Sequence, residues 1–144
     1  RSYRIFREAG SASAWIVKIA IGLTYVYQEK WSQAREIMRD VLVFAIEKKR
    51  VFMFEDLCSA ILAPAVHTKD WVLWDLALAQ LPLEPGRRPD PDHPKMLKMG
   101  AEAAANAGEY GRASDAWQLA AVRYDLMENP AAAAECRAAL VSLR

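Results

Sequence analysis

The sequence predicts an all-α fold, an α-solenoid of about three antiparallel helical hairpins with a C-terminal capping helix. Three observations carry this. Apolar residues recur at helical spacing along nearly the whole chain, and no run alternates as a half-buried strand would. Short turn signals separate these runs. Aromatic residues at three of the turns, Trp31, Trp71 and Tyr110, stand 40 and 39 residues apart. A period of that size points to stacked hairpins, each too small to bury its own face.

Residues 1–9 put Ile5, Phe6 and Ala9 on one helical face before Gly10 supplies a stop, which predicts the last turns of a helix. The next helix, 13–29, is apolar nearly all round, with Trp15, Ile16, Val17, Ile19, Ile21, Leu23 and Val26, and must be covered on more than one side. Gly22 in its middle costs ~1 kcal/mol relative to Ala, so it marks a close helix crossing. After Trp31 at the turn, with Ser32 as N-cap, the stripe Ala34, Ile37, Met38, Val41, Leu42, Ala45 keeps helical spacing. Glu47-Lys48-Lys49-Arg50 then forms a solvated helix end whose cations suit the dipole.

A third helix is predicted over 51–67, loosened near its end by Pro64. Thr68-Lys69-Asp70 makes a turn, and Asp70 caps a short helix with Trp71, Trp74, Leu78 and Leu81 inside. The stretch 81–94 holds five of the seven prolines and is predicted as an extended, exposed loop over 82–94, with a solvated His93. Helix resumes near Pro94 and stops at Gly108. The helix 110–127 buries Ala113, Ala116, Trp117, Ala120 and Tyr124. Asn129-Pro130 starts a last one, which packs Ala132, Cys136, Ala139, Leu140 and Leu143 inward. The predicted organisation is one helical repeat domain over 1–144, with units 11–50, 51–81 and 94–128 and a capping helix 130–143.

The turn aromatics belong to a longer pattern. In the first unit Ile21-Gly22 is followed by Tyr25, Trp31 and Ala34; in the third Ala101 and Ala104 precede Gly108-Glu109-Tyr110 and Ala113. The second unit has Leu62 and Ala65, then Asp70-Trp71, but Trp74 where the others have Ala, a side chain large enough to push its two helices apart. A degenerate fourth start is Ala121, Tyr124 and Ala133. This order resembles the tetratricopeptide repeat, over residues 11–143. The period, longer than the usual ~34 residues, is similar to that of the tetratricopeptide arrays attached to bacterial signalling ATPases and serine/threonine kinases.

The resemblance implies a concave groove lined by one face of each unit's first helix. Carried over by position, that face is Ile16, Ile19, Leu23, Val26 and Tyr27; then Asp56, Ser59, Ala63, Val66 and His67; then Lys95, Lys98, Glu102, Ala105 and Asn106. Tyr27, His67 and Asn106 hold equivalent positions and would form one row able to hydrogen-bond a peptide backbone. The partner-binding residues expected on this basis are Leu23, Tyr27, Ser59, His67, Lys95, Lys98, Glu102 and Asn106. Some repeats of this kind hold a carboxylate with Lys and Asn; here Ile19 and Leu23 occupy the first unit's positions, which favours an amphipathic helix or a partly apolar peptide instead.

Composition narrows the classes. With 53% hydrophobic and 26% charged residues the chain is globular, and a net charge of +1 gives no argument for nucleic acid or an anionic membrane. The longest apolar run, Ala14 to Tyr27, falls short of the ~20 residues of a membrane span. Cys58 and Cys136 are too few and too far apart for a disulfide framework or a zinc site and read as buried thiols, with the cytoplasm as default compartment. The sequence opens on Arg1 without a signal-peptide pattern, which predicts a piece of a longer protein.

Catalysis finds few players. Cys58 and His67 lie ~13 Å apart along one predicted helix, and no phosphate loop, metal-ligand spacing or nucleophile elbow is present. Asp70 and Asp75 read as a cap and a surface carboxylate, and the Trp residues as core rather than base-stacking platforms. The expectation is therefore no enzyme, cofactor or metal, but a protein-interaction or scaffold module. The alternatives are a repeat region regulating a separate catalytic domain, or a small-ligand or peptide sensor. A groove filled by the loop 82–94 would favour regulation.

Overall fold

A computed structural model describes residues 13–49, 54–83, 85 and 89–143. Among these are seven α-helices and no strand: α1 Ser13–Tyr27, α2 Trp31–Lys48, α3 Phe54–His67, α4 Trp71–Ala79, α5 Asp92–Asn106, α6 Tyr110–Leu126 and α7 Pro130–Ser142. The helix expected over 1–9 lies outside the described residues.

The four short turns share one backbone form. Glu29, Lys69, Gly108 and Glu128 adopt positive φ, at 56°, 57°, 82° and 57°. The N–H of the following residue closes back onto a helix carbonyl: Lys30 onto Tyr25, Asp70 onto Ala65, Glu109 onto Ala104 and Asn129 onto Tyr124, at 2.8–2.9 Å. This six-to-one closure is the Schellman motif, which satisfies carbonyls the helix end would leave orphaned. Gly108 reaches that conformation without a Cβ penalty; the other three turns use residues with side chains. Asp70 caps α4 by accepting from the Leu73 N–H at 3.1 Å, and Asn129 caps α7 through Ala132 at 3.2 Å. Helix α2 begins at Trp31, so Ser32 sits inside its first turn and Lys30, with no side-chain cap bond, precedes it.

Helices α1 to α4 and α5 to α7 pack in sequence order, and α3 packs extensively on α5 and also on α1. Helix α3 is therefore the one surrounded on all sides: every residue from Leu57 to Val66 is buried. Helix α1, expected to be covered on more than one side, packs on α2 and α3 and leaves Ile16 and Ile21 exposed. Pro64 is buried within α3, and the Thr68 hydroxyl donates to its carbonyl at 2.8 Å.

Close crossings occur at two glycines. A Cβ on Gly22 would lie 2.7 Å from Met38 Cγ, and one on Gly100 would lie 2.6 Å from Leu62 Cβ. The second crossing also bears on Trp74, which is fully buried and whose ring would lie 3.5 Å from that added Cβ. Gly100 thus brings α5 against both α3 and the indole that replaces the small residue of the other units.

Among the described residues of the proline-rich segment, Pro82, Leu83, Asp90, Pro91 and Asp92 are exposed, while a few neighbours are held to the core. Leu81 and Pro89 are buried, and the Pro82 carbonyl accepts from Arg123 at 2.9 Å. Arg123 is itself fully buried and reaches Glu55 at 3.2 Å and the Leu119 carbonyl at 3.2 Å. His93 corrects the sequence reading: helix α5 starts at Asp92, so His93 lies in its first turn, 5% exposed, with Nε2 paired to Asp56. Pro82, through Arg123, and His93 are thereby held near the start of α3, where Glu55 and Asp56 supply the carboxylates.

Candidate functional site

The C-terminal ends of α1, α3 and α5 enclose a groove of about 650 Å³. Tyr27, Glu29 and Trp31 come from the first turn, His67 and Lys69 from the second, and Glu102 and Asn106 from α5. Val26, Val66, Met99 and Ala103 form its apolar floor. These residues meet because each unit ends its first helix at the same point of the same turn. The groove is amphipathic: Tyr27 is 64% exposed at its rim, while Val26 and Val66 beneath are buried.

A ring stack organises one wall. The His67 imidazole lies on the Trp31 indole with centroids 4.2 Å apart and planes 8° from parallel. The equivalent turn aromatic of the next unit, Trp71, is covered by a cation: the Arg112 guanidinium sits 5.0 Å from its ring centre. Arg112 donates to Asp75 at 2.9 and 3.0 Å and to Glu109 at 2.5 Å. The hydrogen bond from Arg112, helped by its charge, holds the Asp75 carboxyl below its ordinary range. Between the first two units, Arg35 donates to the Asp70 carboxylate at 2.8 Å.

Of the residues expected to contact a partner, the structure brings Tyr27, His67, Glu102 and Asn106 into this groove. Leu23 is half-buried against the core and does not line it. Ser59 is fully buried, because α3 is packed on every side, so it offers no atom to a partner. Lys95 is exposed outside the groove, and Lys98 lies 3.6 Å from Glu135 on α7. The sequence-level face therefore shrinks to its C-terminal edge. Trp31, Glu29 and Lys69 were absent from the expected set, since they lie on turns rather than on a first helix.

The chain matches no protein-family model, no curated protein and no solved structure.

Chemistry elsewhere is accounted for by packing. Asp56, Asp90 and His93 bring three polar atoms within 4.8 Å of one another. Both carboxylates are exposed, and the hydrogen bond between His93 Nε2 and Asp56 ties the first turn of α5 to α3. Cys58 and Cys136 are buried free thiols. Burial, aided by the Glu55 carboxylate, pushes the Cys58 thiol far above its ordinary value, and burial raises Cys136 as well. Neither carries thiolate character near neutral pH. Among the described residues no helix is long and apolar enough to cross a membrane.

Proposed function

We propose that this chain is a protein-interaction module, an α-solenoid of stacked hairpins resembling tetratricopeptide repeats, that seats a peptide or partner helix in the groove at the ends of α1, α3 and α5. The observation that carries the reading is the meeting of Tyr27, His67 and Asn106, one residue from each of three hairpins, in a single groove with an apolar floor. Packing of α3 on both α1 and α5, with the same Schellman closure at successive turns, supports the stacked arrangement. In this mode apolar contacts supply affinity and the polar row fixes the backbone. Catalysis, a cofactor and nucleic acid form no part of the proposal, and the buried thiols suit a reducing compartment such as the cytoplasm.

A groove filled by the loop 82–94 or by a neighbouring helix would favour the regulatory alternative. None of the described residues of 82–94 lines it. Their ties to Glu55 and Asp56 lie at the other end of α3, roughly 16 Å of helix from His67. The interaction reading is preferred on that ground. Its test is selection of displayed random peptides on the wild type beside a Tyr27→Ala/His67→Ala/Asn106→Ala variant. Peptides retained by the wild type and lost by the variant support the groove; a selection indifferent to the three substitutions rejects it.

A further inference from the structure

We propose, resting on that reading, that the groove recognises a basic side chain, arginine in preference to lysine, carried by an otherwise apolar peptide. The argument starts from how the chain uses its carboxylates. Five have an arginine at hand: Asp70 has Arg35, Asp75 and Glu109 share Arg112, Glu55 has Arg123, and Asp125 has Arg137, whereas exposed Glu36, Glu47, Asp115 and Glu128 have no ion-pair partner among the described residues. Glu29 and Glu102, which line the groove, have no ion-pair partner among the described residues. Lys69 is the single lysine or arginine among the groove's lining residues, so the groove carries an excess of negative charge.

The chain also completes such an arrangement internally. At Trp71 a guanidinium lies over the indole and is clamped by two carboxylates. At Trp31 the groove supplies two carboxylates and no guanidinium, and His67 covers one face of the indole. An incoming arginine would lay its planar head and alkyl stem along the exposed Tyr27 ring while its charge answers Glu29 and Glu102. The apolar floor then takes the neighbouring side chains of the peptide.

The probe is again a library of short random peptides, panned in parallel on the wild type, on Glu29→Gln/Glu102→Gln and on the Tyr27/His67/Asn106 triple-alanine variant. Both glutamates are on the surface or at its edge, so the double variant should keep the wild-type helical spectrum. We expect wild-type binders to be enriched several-fold in arginine over the input. Replacing that arginine by citrulline, or binding to the double variant, should weaken a selected peptide about tenfold. Selected peptides that depend on the triple row but show no basic preference, or bind the double variant equally well, overturn the cation proposal and leave the groove standing. A selection that the triple variant matches overturns both.

Discussion

His67, the last residue of α3, lies face to face with Trp31, the first residue of α2, with ring centroids 4.2 Å apart. The stack joins the second hairpin to the first at the wall of the groove. It places Trp31 in the groove wall as much as against the core, and it separates Trp31 from the other indoles.

Trp117 is 6% exposed in α6, whereas Trp31 is half-buried. Trp117→Ala should therefore cost ~3–5 kcal/mol, the range for deleting a buried aromatic. Trp31→Ala should cost about 1–2 kcal/mol, from partial burial and the lost ring stack. Urea unfolding of the two variants checks this, and equal losses would contradict the assignment of Trp31 to the groove wall.

The glycine crossings predict opposite signs at two sites of one residue type. Gly100→Ala sets a Cβ 2.6 Å from Leu62 Cβ, close to the backbone of α3 where little can move; overpacking of this kind costs ~1–3 kcal/mol. Gly111, in the first turn of α6, has nothing within 4 Å of an added Cβ, so Gly111→Ala should stabilise by up to ~1 kcal/mol. Thermal melts of both variants distinguish steric crossing from a general effect of glycine removal.

Much of this was legible in the sequence. The stripe of α2 is buried at Ala34, Met38, Val41, Leu42 and Ala45 as its spacing predicts, and α6 buries its five expected residues. The turns were legible because Gly108, Asp70 and Asn129-Pro130 carry local chemistry. What escaped was set by long-range contact. Nothing local to Ser59 says that α3 is enclosed from Leu57 to Val66, and nothing near His93 says that Asp56 waits for it 37 residues away. Gly100 was passed over for the same reason, its partner Leu62 being on another helix.

Among the described residues Arg123 is a fully buried cation, and Glu55 is its carboxylate at 3.2 Å. Removing one partner of a buried pair leaves an uncompensated charge and costs ~3–5 kcal/mol. Glu55→Ala should show a loss of that size, and Glu55→Ala/Arg123→Met should recover most of it, as judged by denaturant midpoints. Because Arg123 also holds the Pro82 carbonyl, the double variant should expose the segment after α4 to faster proteolysis than the wild type.

Asp70 links capping to pH. Burial alone would raise its carboxyl, but the hydrogen bonds from Arg35 and the Leu73 N–H, with the charges of Arg35 and Arg39, outweigh it and hold the group below its ordinary value. A group lowered on folding stabilises the protein above its unfolded pKa, near ~4, and loses that contribution as pH falls through the folded value. Asp70→Asn should therefore be less stable than wild type at neutral pH, and the gap should narrow in acid below pH ~4. A gap constant with pH would contradict this origin.

The groove itself is tested most directly by amide hydrogen exchange of the wild type with and without a selected peptide. The account predicts slowed exchange concentrated at the C-terminal ends of α1, α3 and α5 and in the turns bearing Glu29 and Lys69. Slowing confined to α6 and α7, or spread evenly over all helices, would contradict it.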